Sequence, residues 1–249
     1  MQNVGFTAEC LNYKLKIAVD FHSELSHRSY VVGQHAYTSL MSCCAKIGDV
    51  EQAKRFLKCM KHDGVEANQY ILTAFIATCS KAKNYEDALT MFDYMRSCPM
   101  TEHDCKRPNR YTYEALILAA GNAGCLNDAF QIFSDMIEDH YQPDASSYAK
   151  LILACGLCGD LERGEACIEH FKQCGIEKTS FFYHSMIDLY SRCGQLEKAV
   201  AILNEVRAST TVDTSHYHYE PIVKLLAERN QWDDVERFLA AWGLSLIHI

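Results

Sequence analysis

The stretch YTSLMSCCAKIGDVEQAKRFLKCMKHDGVEAN, from Tyr37 to Asn68, decides how this chain folds. Its first half carries apolar residues at Tyr37, Leu40, Met41 and Cys44, the i, i+3, i+4 spacing of one helix face. Ile47-Gly48-Asp49 breaks the pattern, and glycine there accepts the left-handed conformation that ends a helix. Val50, Ala53, Phe56, Leu57 and Met60 then restart the same period as a second helix. A helical hairpin this short cannot bury its apolar stripe alone, so it needs neighbours of its own kind.

Those neighbours follow along the chain. LTAFIATCSKAKNYEDALTMFDYM runs from Leu72 to Met95, YEALILAAGNAGCLNDAFQIFSDMIEDHYQPD from Tyr113 to Asp144, and YAKLILACGLCGDLERGEACIEHFKQCGIEKT from Tyr148 to Thr179. YHSMIDLYSRCGQLEKAVAILNEV (Tyr183 to Val206) and YEPIVKLLAERNQWDDVERFLAAW (Tyr219 to Trp242) complete the series. Starts at Gln34, Gln69, Arg110, Ala145, Ser180 and His216 give spacings of 35, 41, 35, 35 and 36 residues. The long spacing holds an insertion around Pro99 to Lys106, read as a surface loop. Leu15, Ala18, Phe21 and Leu25 fall in phase as the second helix of an earlier copy. A small residue in the middle of each second helix (Ala53, Ala88, Ala129, Gly164, Ala199) allows close helix approach.

Self-similarity at this period marks a repeat array. The expected fold is therefore all-α, a right-handed α-solenoid of about seven helix-turn-helix repeats, with about fourteen helices, no strand, and the first helices on the inner face. The copies run over 1–33, 34–68, 69–109, 110–144, 145–179, 180–215 and 216–243, with 244–249 an unassigned tail. A solenoid grows without closing a core, so 1–243 is expected to be one elongated domain. The first copy is expected to lack its opening residues and the last its closing ones, and no presequence is visible ahead of the repeat register.

A hydrophobic content of 49% with four prolines excludes a disordered chain. No apolar run reaches the roughly 18 residues of a membrane span. Thirteen cysteines, an odd number without a paired framework, suit a reducing compartment. Cys155 and Cys158 form a CxxC that lacks a second pair at zinc-like spacing, and Cys44, Cys79 and Cys155 share one place near the end of first helices. They are read as packing residues. His216 and His218 form an HxH without suitable partners and are read as surface residues. Glu51, Asp87, Glu162, Glu197 and the pair Asp233-Asp234 lie in early turns of second helices, where they complement the helix dipole. No phosphate loop, nucleophile elbow or HExxH is present. No metal, cofactor or enzymatic activity is expected, and the partner is expected to be a macromolecule.

The copies end in Gly64-Val65-Glu66-Ala67-Asn68, Arg107-Pro108-Asn109, Gln142-Pro143-Asp144 and Gly175-Ile176-Glu177-Lys178-Thr179. These resemble the Gly-Ile-x-Pro-Asp ending of the pentatricopeptide repeat family, over nearly the whole chain. The tetratricopeptide relative has about 34 residues and a Trp-Leu-Gly-Tyr signature that no copy shows. The resemblance implies single-stranded RNA as partner, with one base read per repeat by the fifth and last residues. The implied pairs are Thr38 with Asn68, Thr73 with Asn109, Glu114 with Asp144, Ala149 with Thr179, and His184 with Ser215. The first two resemble the family's adenine combination; the others depart from its legible pairs. The second residue of each copy is expected to stack on bases: His35, Tyr70, Tyr111, Phe181 and Tyr217, with Ser146 the exception. Lys46, Lys81 and Arg192 occupy the place that the family sets near phosphates, where the other copies have Asn122, Leu157 and Glu228.

Charge opposes this. With 24 basic and 32 acidic residues the chain carries −8, so phosphate-driven affinity is expected to be modest and salt-sensitive. The expected function is a monomeric RNA-binding module for organellar transcripts, in mitochondrion or plastid. The alternatives are a scaffold that docks another protein on its degenerate copies, and the RNA-binding arm of a larger nuclease or ribosome-associated protein.

Overall fold

The computed structural model describes residues 32–99, 106–209 and 212–241, with scattered positions between 13 and 24. Leu15, Ala18, Phe21 and Leu25, which carry the helix expected there, most of the 99–106 insertion and the 244–249 tail lie outside the described residues. Among those described there are twelve helices and no strand. They are α1 (Gln34–Ile47), α2 (Val50–His62), α3 (Gln69–Lys81), α4 (Tyr85–Ser97), α5 (Arg110–Asn122), α6 (Leu126–Glu138), α7 (Ala145–Cys158), α8 (Leu161–Gln173), α9 (Ser180–Arg192), α10 (Leu196–Ala208), α11 (His216–Glu228) and α12 (Trp232–Ala241). The fold is an all-α helical-repeat solenoid. First helices begin at Gln34, Gln69, Arg110, Ala145, Ser180 and His216, the residues that open the sequence copies.

Two compact units divide the chain, Met1–Ala123 and Gly124–Ile249. In the first, α1, α3 and α5 pack side by side, and α2 and α4 back onto them. In the second, α7, α9 and α11 form the row, with α8, α10 and α12 as their hairpin partners. Within a hairpin, a tyrosine early in the first helix reaches the end of the second. Tyr37 Oη donates to Asp63 Oδ2 at 2.7 Å, and Tyr183 Oη to Glu205 Oε1 at 3.0 Å. Tyr148 Oη meets His170 Nδ1 at 2.8 Å in the same way. Burial and the carboxylate partner push the Tyr183 phenol up to about 12.

The small residues at mid-helix do what their size suggests: Ala53, Ala88, Ala129 and Ala199 are fully buried. In the second unit a knob fills the space they represent. Leu189 of α9, itself fully buried, enters a notch made by Gly156 of α7 and Gly164 of α8. A Cβ on Gly164 would stand 2.5 Å from Leu189 Cδ2, and one on Gly156 3.1 Å from Leu189 Cα. Gly48 and Gly159 cap α1 and α7 with φ of 89° and 70°. Where the break lacks glycine, Lys83 and Asn230 take the left-handed region instead, at φ of 58° and 56°.

Cys44, Cys79 and Cys155 are fully buried, and burial pushes the Cys44 and Cys79 thiols up to about 12. Cys155 hydrogen-bonds the Cys167 thiol on α8, which leaves the CxxC spacing to Cys158 without a direct role. The HxH requires a correction. His216 is exposed, whereas His218 is fully buried and not a surface residue. It is the third residue of α11, where its Nδ1 accepts from the Ser215 N–H at 3.1 Å and its Nε2 meets Ser180 O at 3.1 Å. Those two bonds fix the neutral Nε2–H tautomer. Burial, assisted by His184 and His216, lowers its pKa.

Candidate nucleic-acid interface

The opening N–H groups of a helix have no intrahelical acceptor, and five of the six first helices meet them with a capping side chain; α1, which follows Gly33, has none. Asn68 Oδ1 accepts from Ile71 N–H at 3.0 Å, and Asn109 Oδ1 from Thr112 N–H at 3.0 Å. Asp144 Oδ1 accepts from Ser146 and Ser147 N–H, and Thr179 Oγ1 from Phe182 N–H. Ser215 completes the set through its capping box with His218. All five residues assigned to the closing position of a pair are therefore helix caps, and capping alone accounts for their polar identity.

Their fifth-position partners differ in what they present. Thr38 and Thr73 are half-buried. Thr38 Oγ1 donates back to Gln34 O at 3.0 Å, and Thr73 Oγ1 lies 2.7 Å from Thr112 Oγ1. Glu114 is buried, with Oε1 3.7 Å from Arg110 Nε. Ala149 is fully buried and brings no polar group. His184 Nδ1 donates to Tyr217 O at 2.7 Å.

The second position behaves uniformly. His35 is exposed, and Tyr70, Tyr111, Phe181 and Tyr217 keep 68%, 60%, 36% and 58% of their surface in solvent. Rings that only sealed the joint between copies would be covered. Tyr111 also carries the Arg110 guanidinium 5.4 Å from its centroid.

In the first unit these groups converge. A groove of about 380 Å³ is lined by Tyr70 and Tyr111, by the pair Thr73 and Asn109, and by Lys46. Lys46 and Lys81 are exposed and make no ion pair among the described residues. Two aromatic faces, one polar pair and one cation thus border a single space of nucleotide dimensions.

The second unit has a counterpart of about 580 Å³ bordered by Asp144, Ser146, Lys150, Thr179 and Phe181. Serine replaces a ring on one side, and Lys150 Nζ sits 4.6 Å from the Phe181 centroid. Sequence reasoning missed Lys150, although its place beside the fifth position was visible. Arg192, grouped with Lys46 and Lys81 by sequence, is held by Asp188 Oδ2 at 2.5 Å. Lys224 and Glu228 lie 4.0 Å apart in the next copy. Elsewhere in this unit Lys178 pairs with Glu205 and Lys198 with Glu165, so several of its cations are matched by acids. Among the described residues no cluster of His, Cys, Asp and Glu could hold a metal, and no helix is long and apolar enough to cross a membrane.

The family model for the pentacotripeptide-repeat region of PRORP matches residues 31–217. A chloroplastic pentatricopeptide repeat-containing protein of Arabidopsis thaliana is 23% identical over 164 residues, 55% of this chain and 19% of its own length. The mitochondrial 15S rRNA processing factor CCM1 of Yarrowia lipolytica is 29% identical over 106 residues, 41% of this chain and 13% of that protein. Among solved structures, maize pentatricopeptide repeat protein PPR10 in complex with an 18-nt psaJ RNA element has a TM-score of 0.65. The match is 16% identical and covers 97% of this chain and 36% of that one. Such a likeness establishes the fold. The chain spans less than a fifth of the length of both curated relatives.

Proposed function

This chain belongs to the pentatricopeptide repeat family, and on that premise we propose that it is a single-stranded RNA-binding module reading one base per repeat. Its work is organellar RNA processing, stability or translation, in a mitochondrion or plastid, as the names of its relatives suggest. The observation that carries this reading is the groove of the first unit. There Tyr70 and Tyr111 offer faces to a base, Thr73 and Asn109 offer hydrogen-bonding edges, and Lys46 offers a charge for the backbone. Base–aromatic stacking contributes about 1–3 kcal/mol per base and tolerates every base. His35 adds a ring and Lys81 a cation in the first unit, and Phe181 and Tyr217 offer rings for stacking in the second. The copies 34–68 and 69–109 carry base selection, while 110–144, 145–179 and 180–215 hold RNA with little of it. The module itself performs no catalysis; any chemistry on the transcript belongs to a partner or to further sequence.

Tyr70→Ala and Tyr111→Ala test the stacking. Fluorescence anisotropy on uridine-rich strands with varied central steps should show each variant weaker by about five- to hundredfold on all sequences alike. Unchanged affinity in both variants would remove the groove from the RNA path. A second reading, a docking surface for another protein, is favoured in the second unit by the Asp188–Arg192 pairing and by Ala149, which reads nothing.

A further inference from the structure

The two neighbouring Thr/Asn pairs are identical in sequence and different in wiring. In the copy that opens at Gln34, Thr38 Oγ1 is spent on its own helix, and Asn68 makes one bond, from Oδ1 to the Ile71 N–H. Gln34 Nε2 donates to Glu66 O at 2.9 Å and leaves Asn68 alone. In the copy that opens at Gln69, four side chains form one chain of hydrogen bonds. Gln69 Nε2 donates to Arg107 O at 2.5 Å, and Gln69 Oε1 accepts from Asn109 Nδ2 at 2.9 Å. Asn109 Oδ1 accepts twice from Thr112, from its N–H and from its hydroxyl, both at 3.0 Å. The capping box, in which the Thr112 oxygen also accepts from the Asn109 N–H at 3.1 Å, places the Thr112 proton on Asn109 Oδ1, and with that assignment Thr73 is the donor of the 2.7 Å contact to Thr112.

Hydrogen directions follow from this count. Asn109 Oδ1 is saturated, and one of its two amide protons is held by Gln69, so the pair has a single N–H left to offer. Thr73 has given its proton to Thr112 and retains only acceptor lone pairs. The pair therefore presents one donor beside one acceptor, in fixed order. Adenine and cytosine carry a ring-nitrogen acceptor beside an exocyclic amino donor, which matches. Guanine and uracil carry a ring N–H beside a carbonyl, which sets donor against donor and acceptor against acceptor.

We propose that Gln69 and Thr112 are positioning residues that lock the hydrogen polarity of the Thr73/Asn109 pair, so that this copy selects amino-bearing bases over keto-bearing ones. The inference rests on the base-reading proposal above. Stacking between Tyr70 and Tyr111, with its preference for the larger ring system, then favours adenine over cytosine. Neither Gln69 nor Thr112 lines the groove. Both are first- and third-position residues, outside the pair that reads it.

The test is anisotropy binding to a uridine-rich strand holding one A-A step, with each A replaced in turn by G, C or U at fixed salt. For wild type, G at the nucleotide facing this copy should weaken binding about tenfold, and C less than U. Gln69→Ala and Thr112→Val should cut that A-over-G ratio to about twofold or below, by freeing the amide to flip and the hydroxyl to turn. Thr112→Ser retains the bonding hydroxyl and should keep the ratio. Gln34→Ala should leave selection at its own nucleotide unchanged. If Gln69→Ala and Thr112→Val keep the wild-type ratio, or if Thr112→Ser loses it equally, the positioning role is wrong while base reading stands. If wild type shows no A-over-G preference at either nucleotide, the base-reading proposal fails and this one fails with it.

Discussion

On the proposed reading, Asn68 is required twice. Its Oδ1 caps α3 by accepting from the Ile71 N–H, a single bond on its amide where Asn109 has three. Asp caps a helix as well as Asn does, so Asn68→Asp keeps the fold and changes only the edge. It exchanges an amide donor for a carboxylate acceptor. The expected outcome is a shift from adenine toward guanine at that nucleotide, about five- to hundredfold in relative affinity, with an unaltered melting curve. A change in stability without a change in preference would assign Asn68 to capping alone. The closing residues were legible in the sequence as a polar series at fixed period, but capping and base reading select the same residue types, so sequence could not separate them. His218 was illegible for another reason. An HxH says nothing about burial, and only the fold sets His218 against Ser180 of the preceding copy. Its pKa is lowered mainly by burial, so the folded state binds a proton less readily than the unfolded one. Its contribution is complete above the unfolded value of about 6.5 and is lost as pH falls through it. Urea denaturation at about pH 7.5 and about pH 5.5 should show a loss of stability on acidification that is smaller in His218→Gln, since Gln also serves in a capping box.

At the scale of elements, the period did most of the work. Apolar spacing within each copy and a break near its middle set where α1 to α12 begin, and only the residues that carry those breaks varied. Lys83 and Asn230 take the conformation that glycine holds elsewhere because the backbone there must turn, whatever side chain it bears. Gly164 was legible as a small residue in a second helix, but its partner was not, since Leu189 lies in the next copy. Alanine at this position gains about 0.5–1 kcal/mol of helix propensity, and its Cβ overlaps the methyls of Leu189, a fully buried side chain. Overpacking typically costs about 1–3 kcal/mol, so Gly164→Ala should lower the unfolding midpoint. Adding Leu189→Ala should recover part of the clash term, which a double-mutant comparison in urea would measure. Full additivity of the two losses would contradict the notch.

At the scale of the molecule, charge sets the terms of the proposed RNA binding. The chain carries −8, Lys46 and Lys81 are unpaired among the described residues, and Arg192 is tied to Asp188. Counting only the unpaired positions, about two phosphates are neutralised, and with about 0.7 ions released per phosphate on a single strand the salt slope should be shallow, near −1.5. Asp188→Asn releases Arg192 and should steepen that slope by about 0.7. The family resemblance and the helix boundaries were readable from one dimension; the pairing of Arg192 was readable too, as an i, i+4 acid, yet its weight depends on the geometry that brings the two to hydrogen-bond distance. The central claim is that a stack of exposed rings and polar caps binds single-stranded RNA and reads an A-A step. The direct measurement is equilibrium binding of the whole chain to uridine-rich strands carrying A-A, G-G or C-C, and to the all-uridine strand, at one salt concentration. The account predicts tightest binding to A-A, by about tenfold over G-G. Equal affinity for all four, or no binding to any, would contradict it and leave the protein-docking reading in its place.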